Sequence, residues 1–129
     1  MTVLGLVPAR GGSKGIPYKN IAPCGGRPLL AWTAQAVRES NLLDRTIVSS
    51  DDPVIMEIAR QWSLEVPFMR PEELARDDTP ALPVITHAVS WMEREEGFRP
   101  EVIVLLQPTS PLRLARHIDE AVRMLFDDP

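Results

Sequence analysis

The stretch from residue 3 to residue 20, VLGLVPARGGSKGIPYKN, constrains the fold more than any other part of the sequence. Its apolar start, Val3 to Val7, is typical of a strand that is covered on both faces. A Gly-rich cationic loop follows, with Arg10, Gly11, Gly12, Ser13, Lys14, Gly15 and Lys19. Glycine lets backbone N–H groups approach an anion closely, and the cations add charge. The stretch therefore predicts a phosphate-binding loop, with a solvated turn as the alternative.

The loop matches neither of the two commonest phosphate-binding motifs. It lacks the Gly-Lys-Ser/Thr ending of a Walker A sequence and the GxGxxG pattern of dinucleotide-binding domains. Charge supports an anionic ligand all the same, because residues 1–38 contain no Asp or Glu, although the whole chain has a net charge of −4. The basic residues of this segment are Arg10, Lys14, Lys19, Arg27 and Arg38. This asymmetry favours a small polyanion such as a nucleoside triphosphate over a nucleic acid, unless the clustering is due to chance.

Composition is that of an ordinary globular protein. The 129 residues are 44% hydrophobic and 25% charged, which suits one domain with a sizeable core. No apolar run approaches the roughly 20 residues that span a bilayer, and the N-terminus does not resemble a signal peptide. A single cysteine, Cys24, excludes an internal disulfide and is interpreted as a turn residue. We therefore expect a cytoplasmic protein without a membrane partner.

Apolar periodicity predicts four strands that alternate with four helices. The strands are Val3 to Val7, Thr46 to Ser49, Leu64 to Met69 and Val102 to Leu106. The helices are expected to begin at Pro28, after Asp52 as N-cap, after Thr79-Pro80, and shortly before Ile118. Gly97 and Pro100 are expected to end the third helical unit. This alternation predicts a single α/β domain over residues 1–129, with a doubly wound, mainly parallel, Rossmann-like sheet and helices on both faces.

Ligands of such sheets bind outside the carboxyl ends of the strands. Four polar segments follow the predicted strands and should meet at that edge: ARGGSKG, SSDD, RPEELARDDT and QPTSPLR. Together they predict a ligand pocket in which the Gly-rich loop forms one wall.

These segments resemble the CMP-sugar acid synthetases, the acylneuraminate cytidylyltransferase family. The matching motifs are PARGGSKGIPYKN, IVSSDD, RPEELARDDT and LLQPTSPLR, in family order and spacing. The resemblance implies transfer of CMP from CTP to the anomeric hydroxyl of a nonulosonic acid, such as sialic acid or a bacterial relative, with release of pyrophosphate. It also implies a requirement for Mg²⁺.

The resemblance assigns roles to individual residues. Arg10 and Lys19 are expected to be catalytic, and Gln107 is expected to contact the sugar acid. The predicted nucleotide-binding residues are Arg10, Gly11, Gly12, Ser13, Lys14, Lys19, Asn20, Arg70 and Thr79. Cations and backbone N–H groups suit this chemistry, because the α-phosphate gains negative charge when the sugar hydroxyl attacks it.

Several of these residues have structural alternatives. Arg70 could form a salt bridge with Glu72 or Glu73, and Thr79 could simply cap a helix. Lys14 could face solvent, and Gln107 could bond to neighbouring backbone. Asp51 could bind ribose or metal, but capping of the next helix together with Asp52 is the preferred interpretation. His87 and His117 are interpreted as surface or core-edge residues.

The family's domain is longer than this chain, and its later part supplies the acidic metal ligands and the main dimerisation element. We therefore expect the N-terminal part of the family domain, truncated at an exposed sheet edge that invites self-association into a homo-oligomer. Alone it should bind nucleotide weakly and catalyse poorly. The alternatives are a non-catalytic nucleotide-binding or interaction module, and a nucleotidyltransferase for a non-acidic sugar.

Overall fold

The computed structural model describes residues 2–11, 23–24, 26–76, 79–107 and 115–127. In chain order its elements are β1 (Val3–Pro8), β2 (Pro23–Cys24), β3 (Arg27–Pro28), α1 (Leu29–Glu39), β4 (Arg45–Ser49), α2 (Pro53–Gln61), a short 3-10 helix (Glu72–Leu74), α3 (Ala81–Glu96), β5 (Val102–Leu105) and α4 (Ala115–Asp127). Within these ranges, no helix combines the length and apolar character that crossing a bilayer requires.

The main sheet has three parallel strands in the order β4-β1-β5. Leu6 of β1 lies opposite Ile47 of β4 on one side and opposite Leu105 of β5 on the other. As the central strand, β1 is buried on both faces, which explains why its sequence is apolar throughout. The predicted parallel α/β sheet is confirmed.

Helices cover both faces of this sheet, as predicted. On one face, residues of α1, α2 and α4 such as Leu30, Ile55 and Ile118 pack against Val7 and Val48. On the other face, Ala88 and Met92 of α3 join a second cluster with the sheet residues Leu4, Leu6 and Ile47. Because each strand alternates its side chains between the two faces, β1 and β4 contribute to both clusters.

The predicted third strand, residues 64–69, does not form a strand. Its only ladder contact within the described part of the chain is an isolated parallel bridge between Glu65 and Ile47. Leu64, Val66 and Phe68 are nevertheless buried, so the period-two apolar pattern was read correctly. Pro67 explains the failure, because a proline has no N–H to donate to a sheet.

The segment before α1 also differs from the prediction. Pro28 precedes the helix and does not begin it, since α1 starts at Leu29. Pro28 and Arg27 instead pair antiparallel with Pro23 and Cys24, so Cys24 lies in a short strand and not in the turn. Gly26 takes up the turn with φ +81°, a backbone conformation that glycine adopts at little cost.

Two helix ends were predicted correctly. Asp52 is the N-cap of α2, and its side chain accepts hydrogen bonds from the N–H groups of Val54 and Ile55. Gly97 ends α3 in the left-handed conformation with φ +65°. Both signals are local in sequence, which is why they could be identified without the fold.

A buried carboxylate fastens α4 to the loop after α1. Asp119 is 4% exposed and accepts hydrogen bonds from Ser40 Oγ and from the N–H groups of Asn41 and Leu42. These bonds, together with the charge of Arg123, hold the pKa of Asp119 below its ordinary value although burial opposes this. We refer to Asp119 with Ser40, Asn41 and Leu42 as the α4 clasp.

Candidate nucleotide-binding site

The end of β1 is fixed against the end of β4 by two hydrogen bonds. The N–H of Ala9 donates to the carbonyl oxygen of Ser49 at 2.9 Å, and the N–H of Gly11 donates to Asp51 Oδ1 at 2.9 Å. A Cβ atom at position 11 would lie 2.6 Å from Asp52 Oδ2, which is closer than non-bonded atoms approach. Only glycine therefore fits where the chain enters the Gly-rich loop.

The two aspartates after β4 have different roles. Asp52 caps α2, whereas the hydrogen bond that Asp51 accepts comes from Gly11. The preferred interpretation of Asp51 as a helix cap is therefore wrong. Asp52 takes that role because it directly precedes Pro53, the first residue of the helix. Asp51 instead holds the start of the Gly-rich loop by accepting the hydrogen bond from Gly11.

Arg70 is buried at this same edge of the sheet, with 4% of its surface exposed. Its backbone N–H donates to the carbonyl of Ser50 at 2.7 Å. Its guanidinium donates to Ser49 Oγ at 2.9 Å, to the Ser49 carbonyl at 2.7 Å and to the Leu74 carbonyl at 3.2 Å. All three acceptors are neutral. They hold the guanidinium in place, and none of them is a carboxylate that would neutralise its positive charge.

The electrostatic environment of Arg70 is unfavourable for a cation. Burial lowers the pKa of its guanidinium, the charge of Arg10 lowers it further, and Asp51 raises it. The alternative salt bridge to Glu72 or Glu73 is absent from the ion pairs of the described ranges. A buried cation with a second cation nearby attracts an anion, because an opposite charge offsets the cost of desolvation.

Thr79 lies in the loop before α3 and does not cap that helix. Its Oγ1 accepts a hydrogen bond from the N–H of Arg76 at 3.1 Å, and its own N–H donates to the Arg76 carbonyl. The helix begins at Ala81 with Pro80 as N-cap. The half-buried Thr79 therefore links the start of α3 to Arg76.

Of the remaining predicted site residues, the structure describes Arg10 and Gln107. Arg10 is half-buried after β1, and Gln107 is exposed two residues after β5. Because the strands are parallel, Gln107 lies at the same edge as Gly11 and Arg70. Other predicted site residues lie outside the described residues: Gly12, Ser13, Lys14, Lys19 and Asn20.

Sequence reasoning assigned no site role to Ser49 or to His87. Ser49 accepts two hydrogen bonds from the Arg70 guanidinium, and the signal for it was its place in the predicted SSDD segment at the end of an apolar strand. His87 of α3 stacks edge-on against Phe68, with 5.0 Å between ring centroids. Its Nδ1 is buried without a hydrogen-bond partner in the described part of the molecule. Burial, Arg70 and Arg94 lower the pKa of His87, while Glu73 raises it.

A metal site is not complete in this part of the molecule. The described residues contain no group of three or more His, Cys, Asp or Glu side chains that could hold a metal ion. The two carboxylates beside the Gly-rich loop, Asp51 and Asp52, already bond to backbone N–H groups. The donor set therefore does not fit a resident Mg²⁺ by itself.

Comparison with known proteins identifies the family of this chain. A family model described as "Cytidylyltransferase" matches residues 4–129. The chain is 38% identical over 122 residues to an N-acylneuraminate cytidylyltransferase of Escherichia coli, covering 95% of this chain and 28% of that protein. It is 36% identical over 124 residues to a CMP-N,N'-diacetyllegionaminic acid synthase of Legionella pneumophila, covering 96% of this chain and 53% of that protein.

Among solved structures, the fold is similar to that of CMP:2-keto-3-deoxy-manno-octonic acid synthetase complexed with CTP. The TM-score is 0.79 at 20% identity, and the match covers 100% of this chain and 49% of the other. The chain thus spans about half or less of each of these three proteins. The family model and the two relatives together establish that this chain belongs to the cytidylyltransferase family.

Proposed function

We propose that this chain is the CTP-binding part of an enzyme that transfers CMP to the anomeric hydroxyl of a nonulosonic acid and releases pyrophosphate. The observation that carries the proposal is Arg70, a buried cation at the ligand edge of the sheet, close enough to Arg10 for the two charges to interact. Membership of the cytidylyltransferase family supports cytidylyl transfer as the reaction.

The triphosphate would lie along the Gly-rich loop. Gly11 can place backbone close to a phosphate because it carries no side chain, and Asp51 fixes its position. We assign Gly12, Ser13 and Lys14 to the same cradle, and Arg10 and Lys19 to the catalytic step. As the sugar hydroxyl attacks the α-phosphorus and pyrophosphate leaves, negative charge builds on the phosphate oxygens. Cations fixed beforehand stabilise that charge without reorganising.

Asn20, Arg70 and Thr79 would hold the cytidine. An asparagine amide offers both a donor and an acceptor to a base edge. The guanidinium of Arg70 is rigidly oriented by its three hydrogen bonds to Ser49 and Leu74, so it can direct an N–H or its charge at one fixed point. Gln107, exposed beyond β5, is the residue that we assign to the sugar acid.

Mg²⁺ is implied by the family resemblance and stays a prediction, because the described donors do not form a site. When bound, Mg²⁺ would neutralise phosphate charge. A cytoplasmic location, self-association into a homo-oligomer, and the absence of nucleic-acid and membrane partners also stay predictions.

The first test is nucleotide binding by calorimetry, comparing CTP with ATP in the presence of Mg²⁺. We expect CTP to bind more tightly than ATP. Pyrophosphate release is then measured with CTP and sialic or legionaminic acid, and Arg10→Ala should lower it sharply. Arg94→Ala is the matched control, because Arg94 is an exposed arginine of α3 that pairs with Glu95. A folded chain that binds no CTP would overturn the proposal. Binding without pyrophosphate release in a protein that also contains the rest of the family domain would favour the non-catalytic module, because this chain alone is expected to catalyse poorly.

A further inference from the structure

Ser49, the last residue of β4, bonds to two different segments at the ligand edge of the sheet. Its carbonyl oxygen accepts one hydrogen bond from the N–H of Ala9 at 2.9 Å and another from Nη2 of Arg70 at 2.7 Å. Its hydroxyl accepts a third hydrogen bond, from Nε of Arg70, at 2.9 Å. Ser49 is fully buried, with 0% of its surface exposed. It therefore ties Arg70 to the end of β1 in a place that water does not reach.

The hydrogen bonds to Ser49 occupy one particular edge of the Arg70 guanidinium. The Nε–H and one N–H of Nη2 lie on the same side of this planar group, and both are directed at Ser49. Nη1 donates to the carbonyl oxygen of Leu74 at 3.2 Å. Because an arginine side chain has five N–H donors, two of them are not used by these bonds, one on each terminal nitrogen. This second pair of donors is the part of Arg70 that a ligand can use.

The direction of that second pair depends on the Ser49 hydroxyl. The other two acceptors of the guanidinium are backbone carbonyls, which any residue can supply at those positions. The hydroxyl is the acceptor of Nε and comes from the side chain of Ser49. Without it, Nε would be a buried donor that lacks this acceptor, and such a donor is costly. The guanidinium would then turn towards another acceptor, and its second pair of N–H groups would turn with it.

We infer that Ser49 is a positioning residue for nucleotide binding, which acts through Arg70 and does not touch the nucleotide. Its hydroxyl holds the guanidinium in one orientation before the ligand arrives, so less rotational freedom of the side chain is lost on binding. The inference rests on the proposed binding of CTP, in which Arg70 holds the cytidine. Ser49 thus contributes by orienting a binding residue and not by an additional contact with the ligand.

The first test compares CTP affinity, measured by calorimetry, in Ser49→Ala, Ser49→Thr and Thr46→Val. For Ser49→Ala we expect a dissociation constant about fivefold higher, the size of one lost hydrogen bond. Ser49→Thr keeps the hydroxyl and should restore most of the affinity. Thr46→Val is the matched control, because Thr46 is a buried residue near the opposite end of β4 whose hydroxyl has no hydrogen-bond partner in the described part of the molecule. It should bind CTP as the unmodified chain does.

A double-mutant cycle tests whether Ser49 acts through Arg70. In an Arg70→Met background the guanidinium is absent, so adding Ser49→Ala should change CTP affinity by less than about twofold. The same loss in both backgrounds would show that the effect of Ser49 is independent of Arg70, and the inference would be overturned.

NMR of the free chain gives a readout that needs no nucleotide. The Nε–H of Arg70 should give a resonance that exchanges slowly with water and that disappears in Arg70→Met. This slow exchange should be lost in Ser49→Ala and kept in Thr46→Val. Slow exchange that persists in Ser49→Ala would contradict the inference. A lower melting temperature with unchanged CTP affinity would also contradict it, because Ser49 would then be purely structural.

Two further outcomes are decisive. Should Ser49→Ala fail to fold, Ser49→Cys replaces it, because a sulfur of similar position accepts hydrogen bonds only weakly. Unchanged CTP affinity in Ser49→Cys would overturn the inference. If the unmodified chain shows the slowly exchanging Arg70 resonance but binds no CTP, the proposed function fails, and the role of Ser49 in nucleotide binding fails with it.

Discussion

Arg70 and Asp119 are both charged, both 4% exposed, and both hydrogen-bonded to neutral groups, yet their surroundings act on them in opposite ways. The environment of Asp119 favours its charged form, because three hydrogen-bond donors point at one carboxylate. The environment of Arg70 disfavours its charged form, through burial and the neighbouring Arg10. Equal burial therefore does not mean equal function. The α4 clasp is electrostatically complete, whereas the Arg70 site gains from an added anion.

The largest effect that would sharpen this comparison is expected for Arg70→Met. We expect CTP affinity to fall about 30-fold or more, since hydrogen bonds to charged groups contribute roughly 1.5–3 kcal/mol. The free energy of unfolding should change by less than about 1 kcal/mol, because removing a buried charge offsets the lost hydrogen bonds. Calorimetry with CTP and urea unfolding measure the two quantities. A large loss of stability with unchanged affinity would make Arg70 a structural residue like Asp119.

Asp119→Ala should give the opposite pattern. Removing the carboxylate leaves Ser40 Oγ and the N–H groups of Asn41 and Leu42 without their acceptor, which should lower the free energy of unfolding by about 2 kcal/mol. The stabilisation from Asp119 is present above the pKa of an unfolded aspartate and is lost as pH falls through the lower pKa of the folded state. Urea unfolding at several pH values measures both effects.

The control for this variant is Glu120→Ala, an exposed neighbour on the same helix. Its stability should stay within about 0.5 kcal/mol of the unmodified chain. Equal losses in the two variants would show that the clasp contributes nothing specific.

Gly11→Ala should affect both the site and stability. The new Cβ would collide with Asp52, so either the Gly11–Asp51 bond or the α2 cap must shift. We expect a loss of about 1 kcal/mol in stability, the typical value of an N-cap, together with roughly tenfold weaker CTP binding. Gly97→Ala is the matched control. Its strained left-handed φ should cost about 1 kcal/mol without changing affinity, because Gly97 ends α3 away from the loop.

The smallest effect concerns His87, which packs against Phe68 and whose pKa the charge of Arg70 lowers. Its pKa is lowered in the folded chain, so the unfolded state takes up a proton at higher pH than the folded state does. Stability should therefore decrease as pH falls below about 6.5, the ordinary histidine value. His87→Gln should reduce this slope in urea unfolding measured between pH 7.5 and 5.5. An identical slope in the variant would show that His87 does not cause it.

The alternation of strands and helices predicted the parallel sheet, but individual side-chain bonds between distant residues were not predicted. The apolar run of β1 and the Asp52–Pro53 signal that begins α2 each consist of consecutive residues. The bonds from Arg70 to Ser49 span 21 positions, and the bond from Ser40 to Asp119 spans 79, so no local pattern indicates them. For residues 64–69 the alternation of apolar side chains was clear, but the ladder also needs N–H donors, and Pro67 supplies none.

The central place of β1 in the sheet bears on how the chain folds while it is being synthesised. Val3 bonds to Asp44 across 41 positions, and Thr2 bonds to Glu101 across 99. During synthesis β1 therefore gains its second neighbouring strand only when residues 102–105 emerge from the ribosome. Pairing over such separations is slow. Throughout that interval the apolar edge of β1 is available to other nascent chains, which makes timely elongation through β5 a requirement for avoiding aggregation.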